Sequence, residues 1–97
     1  MKSQNIESLL GSLTEQLAAI EHERWSHWQR YLHSKGVRQP DGSLLLPADL
    51  VARWEKQSET KYAELSEQEK ESDRDQVRRY LALIASALAA RHHNDGR

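Results

Sequence analysis

The sequence has no cysteine and no phenylalanine, only four glycines and two prolines among 97 residues, and no long apolar run. Without cysteine there is no disulfide framework, no thiolate-bound zinc and no thiol nucleophile, a composition that fits a reducing compartment. Nothing approaches the roughly 20 apolar residues of a membrane span. The opening Met1-Lys2-Ser3-Gln4-Asn5 lacks the apolar stretch of a signal peptide, so the expected location is cytoplasmic. Neither sign of charge dominates: 14 Lys and Arg face 15 acids, for a net charge of −1. No global field therefore draws the chain to nucleic acid or to a membrane surface, and an anionic partner must be caught locally. With Phe absent and Trp and Tyr at three each, every aromatic ring carries a polar handle. A chain of 97 residues suits one domain near the lower size limit for a self-sufficient core, here about residues 13–90.

What is present reads as helix. Ser12-Leu13-Thr14-Glu15 has the form of a capping box, and the rhythm Leu13, Leu17, Ile20, Trp25, Trp28, Leu32 then runs to Gly36. This predicts a long helix over about Leu13 to Ser34. Ile6, Leu9 and Leu10 extend the spacing backward, predicting an extra N-terminal helical turn from near Gln4 that passes or breaks at Gly11. Gly36 to Ser43, with Pro40-Asp41-Gly42, reads as a loop. Pro47, Leu50, Val51 and Trp54 predict a short helix over about Pro47 to Glu59, followed by a connector from Thr60 to Leu65. Ser66-Glu67-Gln68-Glu69 is a second capping box. It opens a helix with Val77, Tyr80, Leu81, Ile84, Ala85 and Leu88 on one face, ending near Ala90, with Arg91, His92 and His93 at its negative pole and a frayed tail over 94–97. No strand alternation or internal repeat is visible. The expected fold is all-α, a small bundle of two long antiparallel helices and a short connecting helix.

Charged residues interrupt both long apolar faces. Projected at 100° per residue from Leu17, Glu21 falls near 40° and Arg24 near −20°, inside a stripe that runs from about −60° to about 80°. Projected from Val77, Lys70 falls near 20°, Asp73 near −40° and Arg74 near 60°, again on the apolar side. Antiparallel packing would bring Glu21, Arg24 and Trp28 toward Lys70, Asp73 and Arg74. A buried ion is costly unless paired, so the simplest account is a network such as Glu21 with Arg74 and Asp73 with Arg24. The functional account is a polar pocket for a small charged ligand, and one network could serve both.

Several familiar chemistries are absent. His22-Glu23-Arg24-Trp25-Ser26-His27 spaces its histidines five apart where the zinc-protease helix needs four, and Ser26 occupies the required position. Neither His33 nor the His92-His93 pair has ligand spacing, and no Gly-rich phosphate loop or nucleophile motif is present. No catalytic residue, metal or cofactor is expected. The Arg24/Arg30 and Arg74/Arg78/Arg79 spots are flanked by acids and read as solvated helix faces, so no nucleic-acid partner is expected. Trp25, Trp28, Trp54 and Tyr62 each serve as core filler on general grounds. Beside Arg24, Arg53 and Arg74, with loop residues Arg38 and Lys61 to supplement them, they also form a receptor for a nucleotide, with indole stacking on the base and guanidinium holding phosphate.

The segments Leu-Ala-Ala-Ile-Glu-His-Glu-Arg-Trp-Ser-His-Trp (17–28), Ala-Arg-Trp (52–54) and Tyr-Ala-Glu-Leu-Ser-Glu-Gln-Glu-Lys-Glu-Ser-Asp-Arg (62–74) together resemble the RyR-repeat domain, in its small stand-alone phage and bacterial form. That resemblance implies a helical, non-enzymatic ligand-binding module for a nucleotide-derived, adenine-containing signal, of the kind a phage sponge sequesters from bacterial immune signalling. It implies that Glu21, His22, Trp25, Trp28, Trp54, Tyr62, Asp73 and Arg74 lie at or under the ligand site; the projection adds Arg24. This chain is a single short repeat with its own loop from Gly36 to Leu46, so a pocket built elsewhere from two repeats would here need a homo-oligomer. The alternative is a helical protein-interaction adaptor whose ion pairs merely set packing register. A nucleotide-cleaving enzyme with His22 or Glu21 as base ranks third.

Overall fold

The computed structural model describes residues 2–95, with side chains described over 5–90. It is mostly helical, with elements in the order α1 (Lys2–Gly11), α2 (Thr14–Ser34), β1 (Val37–Arg38), β2 (Leu44–Leu45), α3 (Ala48–Glu59), a 3-10 turn (Tyr62–Glu64) and α4 (Glu67–Asp95). Two compact units divide the chain: Met1–Arg24 with Asp73–Arg97, and Trp25–Ser72. Both α2 and α4 contribute residues to each.

In the first unit, the expected N-terminal turn is a full helix, α1, that ends at Gly11. The joint to α2 is not a capping box. Ser12 donates its hydroxyl back to the Leu9 carbonyl at 2.5 Å, and Thr14 donates to the Gly11 carbonyl at 2.6 Å, so neither hydroxyl caps the next helix. Both side chains satisfy carbonyls at the end of α1, an alternative open to Ser and Thr whenever a helix ends just before them. Leu13, between the helices, is 6% exposed and is the one buried residue among those described. Helix α4 continues through Asp95, past the expected end near Ala90. The side chains of Arg91, His92 and His93 and the tail at 96–97 lie outside the described residues, while 94–95 are helical where a frayed end was expected.

The rotation of α4 differs from the projection. Past Asp73, the half-buried residues are Arg74, Gln76, Tyr80, Leu83, Ile84 and Ala87, whereas Val77, Leu81 and Leu88 are 49%, 56% and 39% exposed and Ala85 is exposed too. The cause is polar: Tyr80 donates its hydroxyl to Glu21, and Arg79 pairs with Glu23, both on α2. These two bonds turn the Tyr80 side of α4 toward α2 and leave the Val77 side facing out.

In the second unit, the stretch expected to be a loop carries a small antiparallel hairpin, with Val37 opposite Leu45 and Arg38 opposite Leu44. Strands of two residues are too short to show alternation, so the turn sets the register. Gly42 holds φ at 91°, its amide donates to the Gln39 carbonyl at 2.9 Å, and the Gln39 amide donates to the Ser43 carbonyl at 2.7 Å. This is the three-residue hairpin loop that ends on a left-handed glycine. Asp41 locks it by accepting the Ser43 amide at 2.9 Å and the Ser43 hydroxyl at 2.6 Å; the hydroxyl first and the amide second hold the Asp41 carboxyl below its usual range.

Gly36 ends α2 for a reason of space. A Cβ there would stand 2.6 Å from Leu44 Cγ and 3.1 Å from Leu46 Cδ2, so the hairpin folds back where only hydrogen fits. Gly36→Ala is therefore expected to destabilise the chain by about 1–3 kcal/mol through overpacking, read from urea unfolding followed by circular dichroism. An unchanged midpoint would contradict this packing. Pro47 sits one position before α3, its carbonyl accepting the Val51 amide at 3.1 Å. The second capping box forms as expected. Ser66 Oγ accepts the Glu69 amide at 3.1 Å while Glu69 returns a carboxylate to the Ser66 amide at 3.0 Å.

Candidate functional site

The residues picked from the sequence fall into both units. Glu21, His22, Arg24, Asp73 and Arg74 belong to the first; Trp25, Trp28, Trp54 and Tyr62 belong to the second.

In the first unit, Glu21, His22, Arg24 and Asp73 are exposed and Arg74 is half-buried, so the charges do not lie in a sealed core. Glu21 is instead the centre of a surface cluster. Arg24 on its own helix donates through Nε at 3.1 Å and through a terminal nitrogen, and the Tyr80 hydroxyl donates to the other carboxylate oxygen. Arg24, and then Tyr80, hold the Glu21 carboxyl below its ordinary 4.5, and Glu21 in turn raises Arg24. A depressed carboxylate favours the fold above its ordinary pKa, and that contribution fades as pH falls through the lowered folded value. A carbon-detected NMR titration of Glu21 should thus give a midpoint below 4.5, moving upward in Tyr80→Phe. A wild-type midpoint at or above 4.5 would rule out the cluster. Sequence projection found Glu21 and Arg24 but assigned Tyr80 to the core. The phenol hydroxyl of Tyr80, which needs a polar partner once the ring is half-buried, was the available signal.

In the second unit the aromatic residues assemble. Trp28 stacks on Tyr31 with ring centres 5.6 Å apart and planes 27° apart, and it meets Trp54 of α3 edge-on at 5.3 Å and 75°. The i, i+3 spacing on α2 brings the first two rings together, and the stripe Leu50, Val51, Trp54 brings α3 against them. Lys35, one further turn along, holds its ammonium 5.2 Å from the Tyr31 ring centre, a cation–π contact. Trp28 remains 38% exposed and Tyr31 37%, so this is a partly open aromatic surface with a cation at its edge. Tyr62, 49% exposed, makes a second such pair with Lys70 at 5.8 Å, and Lys70 also lies 3.9 Å from Glu67. Trp25 is 54% exposed. Tyr31 and Lys35 were missed from the sequence, although Tyr and Lys four apart on one helix face carry that signal.

On α2 a shallow open recess is lined by Gln29, Arg30, His33 and Ser34. Among the described residues no group of His, Asp and Glu could hold a metal ion, and no helix is long and apolar enough to cross a membrane. No known protein family, curated protein or solved structure matches this chain.

Proposed function

We propose that the protein is a non-enzymatic binder of a nucleotide-derived small molecule, adenine-containing in its stacking part, which it holds or sequesters. The observation that carries this reading is the Trp28–Tyr31–Trp54 group with Lys35 at its edge. Partly exposed rings offer a stacking face to a base, each stacked base contributing about 1–3 kcal/mol, and a neighbouring ammonium attracts phosphate. Stacking needs no net positive charge, in keeping with a chain of net charge −1. The resemblance to the RyR-repeat domain points to the same class of ligand and to Trp28, Trp54 and Tyr62. In this reading α2 and α4 are the two long antiparallel helices of a small bundle, and the cluster at Glu21 and Arg24 fixes their register and does not itself touch ligand. The bonds Glu21 to Tyr80 and Glu23 to Arg79 support that order, since one number rises as the other falls.

The test is a thermal-shift panel of cyclic dinucleotides, cyclic mononucleotides and ADP-ribose derivatives. A compound at 100 times its dissociation constant stabilises the fold by about 2.7 kcal/mol, a clear rise in Tm for a chain of this size. A flat response across the panel would overturn the reading. A second reading, a protein-interaction adaptor, is favoured by the hairpin, where the cross-strand pair Val37 and Leu45 is 62% and 63% exposed. In that case Leu45→Lys abolishes partner capture and no panel compound shifts Tm.

A further inference from the structure

Lys70, in the second unit, is held unlike the other ion-paired cations of the chain. Its side chain is only 18% exposed, where those of Arg24, Arg78 and Arg79 are each about half exposed. Lysine is seldom covered to this degree unless its ammonium is paired. Ordering the long stem costs conformational entropy, and drawing the charge out of water costs solvation. Tyr62 lies in the 3-10 turn and Lys70 in the first turns of α4, and the reciprocal cap of Ser66 and Glu69 fixes the joint between them.

The partners of that ammonium are weak. The Glu67 carboxylate oxygen stands 3.9 Å away, beyond hydrogen-bond reach, and belongs to a side chain that is itself 78% exposed. The Tyr62 ring centre lies 5.8 Å away, close to the outer limit of about 6 Å for a cation–π contact. Glu69, the other carboxylate within the same turn, is taken up by the amide and hydroxyl of Ser66. An ammonium carries N–H donors on every side, and among the described residues those of Lys70 meet no acceptor at hydrogen-bond distance. Beside them the Tyr62 ring is 49% exposed, a flat surface open to a further group.

We infer that Lys70 and Tyr62 form a second binding site, for a phosphate monoester carried on a flat ring. The ammonium takes the phosphate oxygens, which supply the close charged acceptors that Glu67 at 3.9 Å does not, and the Tyr62 ring packs against the ring that bears the phosphate. Glu67 competes for the same ammonium and therefore weakens binding. The site shares no residue with the Trp28–Tyr31–Trp54 group, so it stands or falls separately from the ligand reading given above.

An NMR titration of the full chain with adenosine 5′-monophosphate, and with adenosine in parallel, tests it through the side-chain signals of Lys70, Tyr62 and Trp28. The monophosphate is expected to shift Lys70 and Tyr62 together, and adenosine to bind at Tyr62 roughly tenfold more weakly or worse, as the loss of a charge-assisted hydrogen bond implies. Lys70→Gln should weaken the monophosphate at Tyr62 by roughly the same factor and leave adenosine unchanged. Glu67→Gln should bind the monophosphate more tightly than the wild type. A loss in one variant and a gain in the other cannot both come from a damaged fold. No shift at Lys70 and Tyr62 would overturn the site, and a shift of Trp28 alone would do so while leaving the aromatic-group reading intact. A Lys70→Gln chain that binds the monophosphate like the wild type, or a Glu67→Gln chain that binds it no better, would overturn it too.

Discussion

Leu13→Ala is expected to lower the stability of the chain by about 2–4 kcal/mol, the range for removing a buried leucine whose surroundings only partly collapse. Leu13 is 6% exposed at the joint between α1 and α2, where its amide donates to the Leu10 carbonyl at 3.1 Å and its own carbonyl accepts the Leu17 amide at 2.8 Å. Its backbone therefore belongs to both helices and its side chain packs at their joint. A small domain has only about 5–15 kcal/mol in total, so the loss shows as a large fall in the urea midpoint. The neighbouring Leu10, 40% exposed, supplies the contrast: Leu10→Ala should cost far less. Equal costs at the two positions would mean that the joint is not where the first unit is held together.

Trp28→Ala is expected to weaken binding of whichever panel compound stabilises the wild type by about 5- to 150-fold, equivalent to the loss of one stacked base at about 1–3 kcal/mol. Trp28 is the ring shared by both aromatic contacts, with Tyr31 on one side and Trp54 on the other. Removing it takes away the stacking surface and the neighbour that orients Trp54. Trp28→Phe keeps a flat ring on α2 and should restore most of the affinity. Binding measured by calorimetry separates this from a general loss of fold, because Leu13→Ala destabilises the first unit without touching the aromatic group. If Trp28→Ala bound the compound as tightly as the wild type, the aromatic group would not be the site.

The sequence was most legible where a local rule acts alone. Ser66 and Glu69 form their reciprocal cap because both partners lie within one turn. Helices α2 and α3 start and stop within a residue or so of their expected ends, as periodicity and Gly and Pro positions allow. The Ser12 box failed because α1 ended in the same place and its carbonyls competed for the same hydroxyls. The hairpin was invisible in two-residue strands, although Pro40-Asp41-Gly42 marked its turn.

The rotation of α4 was misread for a more general reason. Apolar periodicity locates a stripe, but the side of a helix that turns inward is also set by polar contacts that periodicity does not weigh. Here the hydrogen bond of Tyr80 to Glu21 and the ion pair of Arg79 with Glu23 select the inner face, and Val77, Leu81 and Leu88 are left outside. Of the site residues, Trp28 and Trp54 do meet, because the stripes of α2 and α3 both carry an indole. Tyr31 and Lys35 lie on the same α2 stripe as Glu21 and Arg24, which proved to be partners of each other, and only the spacing of a ring and a cation four residues apart marks them.

The proposed binding surface for a nucleotide-derived molecule is the Trp28–Tyr31–Trp54 group. Its most direct test is mass spectrometry of the small molecules released when the purified protein is denatured, wild type beside Trp28→Ala. A nucleotide-derived compound recovered from the wild type and much reduced from Trp28→Ala is the expected result. Equal recovery from both chains, or recovery from neither, would contradict the claim.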